Sequence, residues 1–181
     1  MAYPTTPVVP STSLSPIDGS KATYAASITG LVAVASATDI FTITGSASKI
    51  VRITRLRISG IKATASADVD IQLIKRSAAN TSGTSTAPAI IPYDSLSSPA
   101  TAVVAAYTAN PTVGNAVGTL AVDSLFVAVT TAQTGILDHN FGNRPAQALV
   151  LRSAAEVIAV NLNGVTVGGG AFDIWCEFTE E

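Results

Sequence analysis

The chain has 181 residues, of which only 12% are charged and 48% are apolar, with a net charge of −2 and a pI near 5.3. That length fits one domain able to bury a core without disulfide or metal staples, and the charge excludes overall attraction to nucleic acid or an anionic membrane. Soluble domains usually carry about 25% charged residues, so this exterior is expected to be covered by other subunits.

The first residues lack the basic start and apolar core of a secretory signal, so synthesis in a cytoplasm is expected. Pro4, Pro7, Pro10 and Pro16 punctuate them among Thr, Ser and Val, which favours extended polyproline-like chain. Residues 1–20 read as an arm whose first 16 residues alone reach roughly 50 Å at about 3.1 Å each, long enough to lie along a neighbour; the alternative is a loose terminal tail. Residues 21–181 read as one β domain.

Period-two alternation dominates from Lys21 onward. Strands are expected at Thr23–Thr29, Leu31–Ala35 and Asp39–Thr44. In the run Ile50–Ile61, Val51 and Ile53 hold one parity and Leu56 and Ile58 the other, a slip that a β-bulge near Thr54 or Arg55 absorbs. Val69, Ile71 and Leu73 form the next strand. Ser77 to Pro99 is a long irregular stretch in which Ile90, Ile91 and Tyr93 read as a pin onto the sandwich or a neighbour. Ala100–Ala109 favours strand through Val103, Val104 and Tyr107. Ser124–Val129, Ala148–Arg152 and Ile158–Leu162 follow. In the last segment Phe172, Ile174, Cys176 and Phe178 face one way and Asp173, Trp175, Glu177 and Thr179 the other. Turn signals separate these strands at Gly45-Ser46, Gly60, Gly83, Asn110-Pro111, Gly135 and Asn143-Arg144-Pro145. The fold class is all-β: a single antiparallel β-sandwich, jelly-roll-like, with an extended Pro-rich N-terminal arm.

Groups able to do chemistry are few. His139 reads as a loop histidine before a hairpin turn, with no orienting acid and no nucleophile motif such as G-x-S-x-G. Asp68 and Asp70 share a strand face, but calcium needs six to eight oxygens and no third acid is near in sequence. Gly168-Gly169-Gly170 lacks the Lys and Ser/Thr of a phosphate loop and reads as a turn. Asn80-Thr81-Ser82 is a chance sequon, and Cys176 a buried small hydrophobe. No catalytic, cofactor or metal residue is expected. Lys49, Arg52, Arg55, Arg57, Lys62, Lys75 and Arg76 cluster in one stretch, while Glu156, Asp173, Glu177, Glu180 and Glu181 make the end acidic. The two groups are available to pair between subunits if their strands are not neighbours; otherwise they are solvated faces.

Several stretches resemble small structural proteins of tailed bacteriophages, some of which act as capsid decoration (cement) proteins. They are Ser36-Ala37-Thr38-Asp39-Ile40-Phe41-Thr42-Ile43-Thr44-Gly45-Ser46, Leu73-Ile74-Lys75-Arg76-Ser77 with Asn80-Thr81 and Gly83-Thr84-Ser85 after it, Ala106-Tyr107-Thr108-Ala109-Asn110-Pro111-Thr112 and Val160-Asn161-Leu162-Asn163-Gly164. The resemblance spans roughly residues 36–180 and leaves the arm unassigned. It implies a non-enzymatic virion protein on the capsid surface, bound to the major capsid protein and assembled as a homo-oligomer, a trimer being favoured. The expected interaction residues are Pro4, Pro7 and Pro10 of the arm, Ile90, Ile91 and Tyr93 of the long loop, and Trp175. The alternative is a tail- or fibre-associated receptor- or carbohydrate-binding module, with Trp175, Tyr93 and Tyr107 as aromatic platforms.

Overall fold

Alternation at the end of the chain sets the frame, because Phe172, Ile174, Cys176 and Phe178 are buried while the residues between them are half exposed. A computed structural model describes residues 21–61, 64, 67–129, 135–142 and 148–181. The arm, with Pro4, Pro7 and Pro10, and Lys62 lie outside the described residues. Twelve strands occur among these residues: β1 (Ala22–Leu31), β2 (Asp39–Thr44), β3 (Val51–Ile61), β4 (Ala67–Arg76), β5 (Ser85–Thr86), β6 (Ile90–Pro92), β7 (Val103–Tyr107), β8 (Ala116–Val127), β9 (Ile136–Asn140), β10 (Leu149–Leu151), β11 (Val157–Asn161) and β12 (Ala171–Glu180). One sheet runs β10-β3-β12-β1-β6, with β9 also paired to β3, and the other β5-β7-β2-β11-β4-β8. Both are antiparallel, and side chains from both fill one apolar core, so the fold is an all-β sandwich.

The parity slip in β3 is a bulge, as expected: Arg55 stands opposite Glu177 and Ile53 opposite Phe178, leaving Thr54 as the extra residue. Its hydroxyl donates to the Glu177 carboxylate at 2.5 Å. Phe178 stacks on Tyr24 with ring centroids 5.6 Å apart. Gly60, expected at a turn, lies inside β3 opposite Phe172. A Cβ there would meet Val127 Cγ2 at 2.7 Å, so this glycine lets the two sheets approach.

Other expectations need correction. Leu31–Ala35 forms no strand of its own: Leu31 ends β1 after an irregularity at Gly30, whose φ of 66° suits glycine. The long stretch after Ser77 carries two short strands, β5 beside β7 and β6 beside β1, so it is pinned to its own sandwich. Strand β8 begins eight residues before the expected Ser124. His139 lies in β9, opposite Leu56, and not in a loop.

A buried ion pair holds the loop after β4. Arg76 donates from Nε and Nη2 to the two oxygens of Asp39, both bonds at 2.7 Å, and Asn80 and Asn161 donate to the same carboxylate at 2.7 and 2.6 Å. Arg76 Nη1 donates to the Gly114 carbonyl, and Gly114 N–H donates to Asn80 Oδ1. Arg76 stands opposite Val157 and Asp39 opposite Asn161, so the guanidinium crosses β11 where Ala159 presents only a methyl. Among the described residues no buried side-chain polar atom lacks a partner. Removing one partner of such a pair strands a buried charge. Arg76→Met should therefore cost about 3–5 kcal/mol in urea unfolding, and a loss below about 1 kcal/mol would show that the pair is dispensable.

Glu180 joins the two sheets. Its carboxylate accepts from Thr101 N–H at 2.8 Å, Ala102 N–H at 2.7 Å, the Thr101 hydroxyl at 3.0 Å and Lys49 Nζ at 3.1 Å. Burial pushes its pKa up, but these hydrogen bonds outweigh burial and hold it below the ordinary value. The folded pKa is then the lower one, so the stabilisation is complete above the unfolded value of about 4.3 and is lost as pH falls through the folded value. Glu180→Gln should flatten the fall in stability on the acid side of pH 4, read from unfolding midpoints across pH. An unchanged acid slope would contradict the assignment.

Candidate interaction surfaces

Strand β6 is what brings the expected contact residues together. Ile91 stands opposite Ala25 on β1, Ala25 opposite Glu177 on β12, and Glu177 opposite Arg55 on β3. Ile91 and Tyr93 are both exposed. Tyr93 donates its N–H to Thr23 and its hydroxyl to Glu177 Oε2 at 2.8 Å. Ile90, one residue along, packs instead against the core. Trp175 occupies the neighbouring row, between Ser27 on β1 and Arg57 on β3, and is half buried. Three of the expected residues, Ile91, Tyr93 and Trp175, thus share the outer face of the first sheet. Tyr107 is buried and is no platform.

Charges on this face pair within the chain. Arg55 grips Asp138 with two bonds, Nε to Oδ1 at 2.8 Å and Nη2 to Oδ2 at 2.5 Å, and this grip holds the Asp138 carboxyl below the usual range. The Arg55 guanidinium also lies 5.8 Å from the Trp175 ring centroid. Arg52 and Lys21 both bond Glu181, Lys49 bonds Glu180, and Lys75 lies 3.4 Å from Glu156. The basic and acidic groups therefore meet inside one subunit, because β3 pairs with β12 and β4 with β11, which overturns their availability for pairing between subunits. Arg57 is different: it makes no hydrogen bond or ion pair with a described residue.

A second surface lies at the opposite sheet's edge. Among the described residues β8 pairs only with β4, and its register breaks twice, leaving Leu120 and Val117 as extra residues. Two bulges twist an edge away from continuous strand addition. Four apolar side chains of β8 are exposed: Val117, Leu120, Val122 and Phe126 are 64%, 46%, 62% and 40% exposed, Val122 and Phe126 on the outer face opposite Gln72 and Asp68, and Leu120 at a hollow it shares with Lys75, Leu149 and Ile158. Across the edge His139 Nε2 lies 3.1 Å from Asp123 Oδ2 and its ring stacks on Phe141. An acid thus stands beside the histidine where none was expected, and the contact ties β8 to β9. Asp68 and Asp70 are exposed on β4. The described residues hold no group of three metal-binding side chains, and Cys176 is buried, which raises its thiol pKa to about 12. No described helix is long and apolar enough to cross a membrane.

Comparisons with protein-family models, with curated proteins and with solved structures found no match for the chain.

Partial burial, the hydrogen bond to Glu177 and the charge of that carboxylate push the Tyr93 phenol up to about 12. Spectrophotometric titration of the intact protein minus its Tyr93→Phe variant should show one phenol ionising near that value. A difference spectrum centred near the ordinary value of about 10 would mean that the Tyr93–Glu177 bond does not form in solution.

Proposed function

We propose that the chain is a non-enzymatic structural protein of a tailed-bacteriophage virion, a decoration or cement protein on the capsid surface. It binds the major capsid protein as a homo-oligomer, with a trimer favoured, and stabilises the shell by cross-linking neighbouring subunits. The observation that carries this reading is the set of apolar side chains of β8, Val117, Leu120, Val122 and Phe126, exposed on a chain that has few charges to keep copies apart. Several large apolar side chains left exposed along one edge strand favour a contact surface there. Covering four half-exposed side chains contributes roughly 1 kcal/mol each, and the bulges direct that contact to side-chain packing between copies.

Attachment to the lattice is assigned to the arm, residues 1–20, which leads into Lys21 beside Glu181 at one end of the sandwich. A protein that binds only the assembled lattice shifts the equilibrium toward the shell by mass action. An extended segment adds main-chain hydrogen bonds without a preformed pocket.

Val122→Lys should weaken self-association by about 30-fold, roughly 2 kcal/mol, with the fold intact by circular dichroism because Val122 faces solvent. Deleting residues 2–15 should leave the sandwich folded yet reduce binding to capsids stripped of this protein. Equal binding of full-length and truncated chains would move attachment to the loop of residues 77–99. No capsid binding by either would overturn the decoration reading.

A further inference from the structure

The outer face of the first sheet holds a feature that assembly through β8 leaves unused. Beside Trp175 is a hollow of about 260 Å³ whose lining includes Ser27, Thr29, Arg57, Ser59, Asp173 and Trp175. Strand register builds it. Ser27, Trp175 and Arg57 form one row across β1, β12 and β3, and Asp173 and Ser59 stand opposite each other in the next. On the Arg55 side of the indole lies a second hollow, lined by Arg55, Arg57 and Trp175.

The chemistry of these groups is mixed. Asp173 Oδ1 accepts the Gly30 N–H at 2.8 Å, while Oδ2 has no partner among the described residues. Arg57 and the hydroxyls of Ser27, Thr29 and Ser59 likewise make no hydrogen bond with a described residue. The Asp173 carboxylate and the Arg57 guanidinium cancel in charge, and Arg55 is already matched by Asp138, so the hollow offers no net field for an anion. It offers an acceptor on one side, a fork of donors on the other, three hydroxyls able to do either, and an indole.

We infer that this hollow is a binding site for a neutral pyranose sugar, with the apolar C–H face of the ring against Trp175 and adjacent hydroxyls shared between Asp173 and Arg57. Each sugar hydroxyl both donates and accepts, which suits an Asp–Arg pair better than it suits either residue alone. The volume lies just below the roughly 300–1,000 Å³ of drug-sized sites, the scale of a single sugar ring. An apolar peptide side chain would instead leave Asp173, Arg57 and the hydroxyls desolvated without partners. The inference is independent of assembly, because it concerns a different sheet from β8.

Trp175 is the single tryptophan of the chain, so its fluorescence reports the two hollows that flank the indole, and the variant at Asp173, a residue that lines only the first, tells them apart. Glucose, galactose, mannose and N-acetylglucosamine would each be titrated into the intact protein to about 100 mM, the range of weak single-ring binding. The expected result is a saturable spectral shift with at least one of them. Asp173→Asn and Arg57→Gln should each weaken that binding by about tenfold, with unchanged circular dichroism and an unchanged oligomer. Absence of a saturable shift with every sugar would overturn the site, as would a shift that both variants retain in full. Glucuronic or sialic acid binding about tenfold tighter than any neutral sugar would overturn the neutral assignment. None of these results bears on self-association, which is read separately by sedimentation.

Discussion

The fold depends most on the carboxylate of Asp39. It accepts four hydrogen bonds, two from Arg76 and one each from Asn80 and Asn161, and so ties β2, β4, β11 and the following loop at one point. Desolvating such a pair costs several kcal/mol per ion and is offset only when the remaining polar atoms are satisfied. Here they are, because Gly114 completes both Arg76 and Asn80. The pair stands on the outer face of the second sheet, where Val157 and Ala159 are also fully buried. A central sheet covered on both sides needs its cover fixed, and Asn80 supplies the fixing.

From that anchor the rest of the long loop takes its course. Beyond Asn80 the chain lays β5 on the edge of the second sheet and then crosses to place β6 on the edge of the first. Ile91 and Tyr93 therefore owe their place on the same sheet face as Trp175 to a contact on the opposite side of the molecule. Glu180, on β12 of the first sheet, ties it to the second through Thr101 and Ala102, which lead into β7. Local strands, two polar clasps and the loop between them thus fix one face rich in mixed polar groups and one edge rich in apolar ones. The short β5 and β6 also limit open edge at those margins.

Much of this was legible from residue pattern. The last strand declares its buried face through Phe172, Ile174, Cys176 and Phe178, and the change of parity between Ile53 and Leu56 announces the bulge at Thr54. The start of β8 was not legible, because its two extra residues, Val117 and Leu120, break period two and leave Gly118, Ala121 and Asp123 as the inward set. In β9 the single inward apolar residue, Leu137, gives too little signal beside Asp138 and His139. The contact surface was read in part: Ile91, Tyr93 and Trp175 stood out as residues, but their convergence follows from the order β6-β1-β12, which is a long-range pairing. The pairing of β12 with β3 explains why basic and acidic residues more than a hundred positions apart turn out to be neighbours, and why the roles of Arg57 and Asp173 beside Trp175 carried no local motif.

In the proposed function, assembly rests on the charge-poor exterior and the exposed apolar side chains of β8. Sedimentation equilibrium of the intact protein from about 1 to 100 μM, the range in which a contact of roughly 5.5–8 kcal/mol is decided, tests that claim most directly. The prediction is a discrete closed oligomer over most of the range. A single monomeric species throughout would contradict it.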